Sequence, residues 1–273
     1  MASGSLYIVS TPIGNLEDIT LRALRILKEV DVIAAEDTRH SAKLLNHYGI
    51  SKPLISYWGE KEKIKAEETL EILHSGRSVA LISDAGTPGI SDPGNLLVAR
   101  AISAGIDVVP IPGPTAVIAA LSLSGLPTSS FVYTGFLPVK HSERVRTLQA
   151  LSLETRTIVL YEAPHRIVET VAEMAEIFGD RRAVLVKELT KLFETTLRGT
   201  LAEILPRLED SKIAGEYVLV IEGRSREEGI SIEDALGEVR ALMKKGLGRK
   251  EASKKIGEEY GLSKKELYDR SLE

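Results

Sequence analysis

The first 111 residues alternate short apolar runs with stretches of helical periodicity, and this alternation limits the possible folds more than any other feature. Each apolar run is four or five residues long and ends in a polar or glycine-containing turn. Strands that alternate with helices build a mostly parallel sheet covered by helices, so we predict an α/β layer. The predicted strands are 6–10, 32–35, 54–57, 79–82 and 108–111.

Pro112-Gly113-Pro114 predicts a boundary between two domains, because each proline restricts its own backbone and that of the preceding residue. Beyond it, adjacent predicted strands near 183–199 and 217–221 indicate an antiparallel portion. We therefore predict an N-terminal α/β domain over 1–113 and a C-terminal mixed α/β domain over 114–224. The strands predicted for the second domain are 131–134, 157–161, 183–188, 194–197 and 217–221.

A charged, glycine-flanked linker over 223–229 is predicted to separate these domains from a helical tail over 230–273. The last two helical patterns of the tail are divided at Gly261, which is compatible with a small helix-turn-helix. We therefore predict a small helical C-terminal extension. Its helices are predicted at 232–244, 249–260 and 263–270.

The tail also holds the charge imbalance of the chain. From Arg240 to Glu273 there are ten lysines and arginines against six acids, a net charge of +4, whereas residues 1–239 carry −8. Lysine and glutamate at helical spacing form ordinary solvated faces, but a basic end on an acidic body also suits a polyanion. Both interpretations stay open. The candidate RNA-binding residues are Arg249, Lys250, Lys254, Lys255, Lys264 and Lys265.

Composition excludes several classes of chemistry. The chain has no cysteine, so disulfides, thiolate metal sites and cysteine nucleophiles are ruled out, which fits a reducing cytosol. Its five histidines show no HxxxH or HExxH spacing, so no metal is predicted. No signal peptide is expected, and no apolar run reaches the roughly 20 residues of a membrane span. We therefore predict a cytoplasmic protein without a membrane partner.

The loop 83–94 is the most unusual segment, since it places three glycines and two prolines directly after a predicted strand. Ligands of parallel sheets bind at the carboxyl ends of strands, and Gly86 and Gly89 allow backbone to approach a ligand closely. Asp84 could accept hydrogen bonds from ribose hydroxyls or an ammonium group. A tight turn capped by Asp84 is the alternative. Asp92 followed by Pro93 predicts the start of the next helix.

Other polar motifs also follow predicted strands. Residues 11–15 form a turn that would share a sheet edge with the 83–94 loop, and 36–39 combine two acids with an arginine. Mixed charges also follow strands at 161–166 and 187–191, and Gly215-Glu216 precedes the last strand. Each motif can bind or activate a substrate, or serve as an ordinary turn or helix start. No GxGxxG or GxxxxGK[ST] fingerprint occurs.

Eight motifs follow one another along the chain: Thr11-Pro-Ile-Gly-Asn-Leu, Ala35-Glu-Asp-Thr-Arg, Ser83-Asp-Ala-Gly-Thr-Pro, Pro112-Gly-Pro, Gly135-Phe-Leu-Pro, Tyr161-Glu-Ala-Pro-His-Arg, Lys187-Glu-Leu-Thr-Lys and Gly215-Glu-Tyr-Val. Together they resemble the tetrapyrrole-methylase-like methyltransferases. Within that family they resemble a group that methylates the 2′-oxygen of a cytidine in the decoding region of 16S ribosomal RNA. The resemblance covers about residues 6–222, and the helical tail is similar to that group's C-terminal extension.

The resemblance implies two α/β domains, a ligand cleft between them that holds S-adenosylmethionine, and a homodimer. The implied partner is 16S rRNA or the small ribosomal subunit. Carried over by motif, the cofactor-binding residues are Ile13, Asp84, Gly86, Thr87, Thr115, Ala116 and Tyr161.

The implied reaction is an in-line displacement by a ribose oxygen on an already activated methyl group, which requires no metal. Removing the hydroxyl proton during attack helps the reaction, and we predict that Glu36 or Asp37 takes or orients this proton. Arg39 and Lys187 are predicted to hold phosphates. Alignment of the reacting atoms could supply on the order of 7–11 kcal/mol at best.

Two further interpretations compete with this one. A methyltransferase of the same fold could act on a small tetrapyrrole or a protein side chain, although such a substrate needs no charged helical appendage. From another class, the chain could be a ligand-sensing nucleic-acid-binding protein whose tail is the binding element. Two α/β domains around a cleft are large for that purpose.

Overall fold

The computed structural model describes residues 3–57, 62–225 and 232–272. Its first half contains a five-stranded sheet in the order β3-β2-β4-β1-β5, in which every pair of neighbours is parallel. The predicted parallel layer is therefore present. The strands are β1 (Leu6–Val9), β2 (Val32–Ala35), β3 (Leu54–Ser56), β4 (Val79–Ile82) and β5 (Val108–Ile111).

Helices cover both faces of this sheet, which explains why its central strands have no polar alternation. All four residues of β2 and all four of β4 are buried, as expected for strands packed on two sides. One face packs a core that includes Leu27 and Ile33, and the other a core that includes Leu73 and Leu97. The helices are α1 (Leu21–Glu29), α2 (Thr38–His47), α3 (Glu62–His74) and α4 (Asn95–Ser103), with a 3-10 turn at Leu16–Asp18.

The second half contains a mixed sheet in the order β6-β7-β10-β8-β9. Only β6 and β7 are parallel within it, and the remaining neighbours are antiparallel, as the sequence predicted. The strands are β6 (Phe131–Phe136), β7 (Thr157–Glu162), β8 (Arg182–Lys187), β9 (Thr195–Thr200) and β10 (Tyr217–Ile221). The helices are α5 (Ala116–Ser124), α6 (His141–Leu151), α7 (Ile167–Phe178) and α8 (Leu201–Glu209).

Helix α8 begins with a reciprocal cap. The Glu203 backbone N–H donates to Thr200 Oγ1 at 3.3 Å, and the Thr200 N–H donates to Glu203 Oε2 at 2.9 Å. This capping box satisfies two backbone donors that the first turn of a helix leaves unpaired. It holds the apolar face of α8 against the core of the mixed sheet, to which α8 contributes Leu201, Ile204 and Leu208.

Replacing Thr200 by alanine is expected to lower the free energy of unfolding by about 0.5–2 kcal/mol, because the cap acceptor is lost. Urea denaturation measures the change. Thr200→Ser is the matched control, since it keeps the hydroxyl and should unfold near the wild-type midpoint. Equal destabilisation by the serine and alanine variants would show that the cap contributes nothing.

The tail consists of three helices, α9 (Ile232–Lys244), α10 (Arg249–Tyr260) and α11 (Lys264–Arg270). They pack around a small core of their own that includes Leu236, Ile256 and Leu267. Gly261 adopts a left-handed conformation between α10 and α11. Part of the predicted linker, 226–229, lies outside the described residues. Within those residues, no helix has the length and apolar character needed to span a membrane.

One prediction was wrong at a helix start. The fourth helix begins at Asn95 rather than at Pro93, with Gly94 before it and no side-chain cap. This error matters for function, because it leaves Asp92 free of a capping role.

Candidate active site

A cavity of about 320 Å³ is lined by segments from both halves of the chain. From the first half come the turn after β1 and the loop after β4. The second half contributes the start of α5, the ends of β6 and β7, the loop after β8 and the start of β10. The register places the carboxyl ends of β7 and β8 beside the first residue of β10, at one edge of the mixed sheet.

Six of the seven predicted cofactor-binding residues line this cavity. They come from four separate segments, each at or shortly after the carboxyl end of a strand, where ligands of such sheets bind. The six are Ile13, Gly86, Thr87, Thr115, Ala116 and Tyr161. The seventh residue, Asp84, does not line the cavity, although its neighbour Ala85 does.

The turn after β1 and the loop after β4 are joined by hydrogen bonds. Thr11 N donates to Gly86 O at 2.8 Å, and Gly86 N donates back to Thr11 O at 3.1 Å. The Ser10 and Thr87 hydroxyls are hydrogen-bonded at 2.8 Å. Gly86 has a φ of 80°, in the left-handed region that favours glycine. The two loops therefore form one braced wall.

Asp84 lies with two further acids at the adjacent ends of β2 and β4. Its backbone N–H donates to Glu36 Oε2 at 3.4 Å, while its Oδ1 accepts from the Asp37 N–H at 3.2 Å. Burial, together with the negative charges of Asp84 and Asp37, raises the pKa of Glu36. The structure thus brings together Glu36, Asp37 and Asp84, beside the cavity rather than in its lining.

Asp37 is already engaged. It caps α2 by accepting from the Arg39 N–H at 2.8 Å, and Arg39 Nη2 lies 3.1 Å from its Oδ2. Hydrogen bonds from the Arg39 side chain and backbone lower the pKa of Asp37 to about 2. A carboxylate with so low a pKa is a weak proton acceptor at neutral pH. The Arg39 side chain is 90% exposed.

Asp92 is the acid that the sequence interpretation missed. It is half-buried and lines the cavity. Burial first, and then the charges of Glu36 and Asp84, raise its pKa to about 6, against a hydrogen bond with Ser83. The available signal was its place in the same loop as Asp84. The local Asp-Pro pattern of a helix start concealed this position.

Lys187, the other residue predicted to hold phosphate, makes contacts within the protein. Its Nζ donates to the Lys212 carbonyl and lies 5.9 Å from the centroid of the Tyr217 ring. The loop that follows β8 is strained, because Glu188 and Thr190 have positive φ values of 54° and 66°.

Glu188 connects this loop to the turn before β10. Its Oε1 accepts from Lys191 Nζ at 2.9 Å and from the Glu216 N–H at 3.0 Å. The Lys191 hydrogen bond is the main cause of the lowered pKa of Glu188. Gly215 has a φ of 84°, which favours glycine, and a Cβ there would lie 2.3 Å from Glu188 Oε1 and displace this carboxylate. Gly215-Glu216, which the sequence left open as an ordinary turn, therefore forms part of the cavity wall.

Three aromatic side chains belong to the β6–β7 side of the cavity. The Tyr133 and Tyr161 ring centroids are 5.2 Å apart, and those of Phe136 and Tyr161 are 5.6 Å apart. Burial raises the pKa of both tyrosines, so both hydroxyls stay protonated. The Tyr133 hydroxyl is hydrogen-bonded to Ser91 Oγ, which joins the two halves of the chain.

Among the described residues, one group could hold a metal ion by proximity: His141, Glu169 and Glu173. The buried Arg144 guanidinium already contacts both glutamates, each at 2.6 Å. Because a cation is built into the cluster, we interpret it as an ion-pair network that joins α6 to α7.

The predicted RNA-binding residues lie on the last two helices of the tail. Five of the six are exposed, and Arg249 is half-buried at the start of α10. Lys264 and Lys265 form the first turn of α11. The structure therefore leaves the lysine ammonium groups open to solvent.

Known proteins resemble this chain over most of its length. The family model for tetrapyrrole (corrin/porphyrin) methylases matches residues 5–205. A protein of Synechocystis sp. named ribosomal RNA small subunit methyltransferase I is 49% identical over 273 residues, 99% of this chain and 98% of that protein. A Bacillus subtilis protein of the same name is 44% identical and covers 97% of this chain and 93% of its own length.

Solved structures show the same fold. A uroporphyrin-III C-methyl transferase from Thermus thermophilus, complexed with S-adenyl homocysteine, matches with a TM-score of 0.57 and 21% identity. The match covers 80% of this chain and 97% of that chain. A parallel and a mixed sheet with a cavity between their edges thus define a methyltransferase of the tetrapyrrole methylase class. This chain belongs to the tetrapyrrole methylase family and, within it, to the ribosomal RNA small subunit methyltransferase I group.

Membership of this family confirms the predicted fold class and the predicted S-adenosylmethionine-dependent methyl transfer, and it sets aside the ligand-sensing alternative. The cavity fits such a donor. Its volume lies at the lower end of the roughly 300–1,000 Å³ typical of cofactor sites. Ile13, Leu189 and Val218 supply apolar walls.

Proposed function

We propose that this protein transfers a methyl group from S-adenosylmethionine to the 2′-hydroxyl of a cytidine ribose in the decoding region of 16S ribosomal RNA. One observation carries the proposal. Relatives named for ribosomal RNA methylation cover nearly the whole chain, including the basic tail, whereas the general methylase match ends at residue 205. The tail is therefore shared with relatives named for ribosomal RNA methylation and lies beyond the part of the chain that the general methylase model matches.

The chemistry of the tail supports an RNA substrate. Its exposed lysines can replace counterions along a phosphate backbone, and each such contact adds affinity that falls with salt. A small tetrapyrrole enclosed in the cleft would gain nothing from them. We propose that α10 and α11 contact rRNA through Lys254, Lys255, Lys264 and Lys265.

The six lining residues carried over from the family motifs are the proposed donor contacts, and Asp84 is proposed to support their loop from behind. When bound, S-adenosylmethionine supplies an activated methyl group on a sulfonium. The braced wall formed by Thr11 and Gly86 holds the cavity in shape, which favours alignment of the reacting groups.

We propose that Asp92 accepts the proton of the attacking ribose hydroxyl. Asp92 lines the cavity and its pKa of about 6 lies close to neutrality, where a general base works best. Glu36 remains the second candidate, and as a neighbouring negative charge it also raises the pKa of Asp92. Asp37 is less suited, since it caps α2 and pairs with Arg39.

We propose, as the sequence predicted, that the exposed Arg39 guanidinium contacts a phosphate of the RNA beside Glu36 and Asp37. For Lys187 we propose a different role from the one expected from sequence. Its hydrogen bond to the Lys212 carbonyl braces the segment before β10, which forms one wall of the cavity.

The function is tested with purified protein, labelled S-adenosylmethionine and three acceptors: small ribosomal subunits, free 16S rRNA and a porphyrinoid precursor. We expect label in an RNA acceptor, and mapping of ribose methylation should place it on a decoding-region cytidine. Comparing subunits with free rRNA identifies the true substrate. Label in the porphyrinoid, or in a protein of the subunit, would contradict the proposal.

Replacing Lys254 and Lys255 by glutamine is expected to weaken binding to the RNA substrate, with a smaller salt dependence than wild type, because two phosphate contacts are lost. The Kd for S-adenosylmethionine should not change. The matched control is Lys28→Gln with Arg77→Gln, which removes two exposed charges that precede β2 and β4 at the far edge of the sheet. Equal effects of the two pairs would exclude the tail as an RNA contact.

Removing residues 226–273 extends this test, since it deletes the whole tail. We expect donor binding to persist and substrate binding to weaken most at raised salt. Unchanged activity on subunits would show that the tail is not a substrate contact.

We further propose that the protein is a cytoplasmic homodimer with domain bounds of 1–113, 114–224 and 230–273. Size measurements can test the homodimer, and limited proteolysis can test the domain bounds.

A further inference from the structure

Phe136 occupies an unusual position at the end of β6. The pairing of β6 with β7 shifts between Tyr133 and Phe136, and Gly135 within this bulge has a φ of 66°. Bulges occur next to active sites, where they re-aim a side chain. Here the shift pairs Phe136 with Tyr161, and both residues line the cavity.

Phe136 is also open to solvent. It is 54% exposed although its ring contacts Tyr161, and Ile90, which lines the cavity from the loop after β4, is 44% exposed. The deeper wall differs, since Val218 and Tyr217 are almost fully buried. Two large apolar side chains from different halves of the chain therefore mark the open side of the cavity. Exposed apolar side chains grouped around a ligand site are candidates for a binding surface.

The reaction determines what can arrive at this open side. The ribose oxygen must come within roughly 3–3.5 Å of the atom that it attacks, so the base on the same ribose lies only a few bonds away. Sequence-specific RNA recognition targets unstacked nucleotides, and enzymes that act on a base take it out of the stack. An unstacked base loses its neighbours, and an aromatic side chain can replace one of them.

We propose that Phe136 and Ile90 form a platform on which the base of the target nucleotide stacks while its ribose enters the cavity; this rests on the proposed function. A ligand held inside the cavity would contact mainly its buried walls. A planar base that approaches from solvent would instead contact the exposed ring of Phe136. Stacking tolerates any base, so the platform positions the nucleotide and leaves recognition of cytosine to other groups.

The test compares Phe136→Ala, Phe136→Leu and Phe136→Tyr in methyl transfer to small subunits. Loss of stacking should lower kcat/KM about 5- to 150-fold in the alanine variant, mainly through KM. Leucine should recover part of this and tyrosine nearly all. Phe131→Ala is the matched control, because Phe131 is a partly exposed phenylalanine at the opposite end of the same strand. It should behave as wild type.

Calorimetry with S-adenosylmethionine distinguishes the platform from a donor contact. We expect the donor Kd of Phe136→Ala to match wild type, and a weakened donor Kd would assign Phe136 to the donor and overturn the platform. Equal kcat/KM for Phe136→Ala and wild type, or for leucine and tyrosine, would also overturn it while the proposed function stands. If the wild-type protein methylates no RNA acceptor, the proposed function fails and the platform fails with it.

Discussion

Replacing Asp92 by asparagine is expected to lower kcat for methyl transfer by about 10²- to 10⁴-fold, the range typical of a lost general base. Asparagine has nearly the same shape, so the Kd for S-adenosylmethionine should change little. The wild-type kcat should fall as the pH drops below about 6, because protonation then removes the accepting carboxylate of Asp92. Single-turnover rates across pH 5–8 measure both effects.

Glu36→Gln provides the sharpest control for this assignment. Removing the negative charge of Glu36 should lower the pKa of Asp92, since that charge is one of the causes that raise it. The acid limb of the pH–rate profile should therefore move to lower pH while kcat at neutral pH is largely retained. A large loss of kcat in Glu36→Gln, with Asp92→Asn unaffected, would instead make Glu36 the base.

Replacing Arg166 by alanine is expected to destabilise the protein by about 3–5 kcal/mol, because it leaves a buried carboxylate without its counter-charge. The Glu162 side chain is fully buried, and its Oε1 accepts from Arg166 Nη2 at 2.6 Å and Nε at 2.9 Å. Thr170 and the Ala163 N–H supply its other hydrogen bonds. Urea denaturation followed by circular dichroism measures the loss.

Arg182→Ala is the matched control for the buried pair. Arg182 pairs with Glu222 on the surface, where solvent screens the interaction and the loss should be small. The double variant Arg166→Met with Glu162→Gln should recover part of the stability, since it no longer buries an unpaired charge. Similar destabilisation by Arg166→Ala and Arg182→Ala would show that burial of the pair has no energetic weight.

The strands were the most predictable part of the fold. The bounds of β2, β4, β5 and β10 agree with their apolar runs. For β2, β4 and β10 the reason is burial along the whole strand, since strands covered on both faces show uninterrupted apolar sequence. Helices α6 and α8 were missed for separate reasons. The inner face of α6 carries the buried Arg144 where a helical pattern expects an apolar residue, and α8 contains Pro206.

The sequence predicted which segments form the site better than it predicted the chemical role of each residue in it. The rule that ligands bind at strand ends found the segments around Ile13, Gly86 and Tyr161, because each lies next to a predicted strand. Asp92 was missed, since a local helix signal competed with its place in the cavity. The sequence could not show that Gly215 belongs to the cavity wall, because its neighbour Glu188 is distant in sequence. The two come together only when β8 pairs with β10.

The cavity wall is built from residues as far apart as Ile13 and Val218. A growing chain therefore has no complete cavity, and so no complete pocket of the kind proposed for the donor, until β10 has left the ribosome and inserted between β7 and β8. By the same connectivity, bound donor links the unfolding of the two sheets, and ligand at 100 times its Kd should add about 2.7 kcal/mol to the stability of both together.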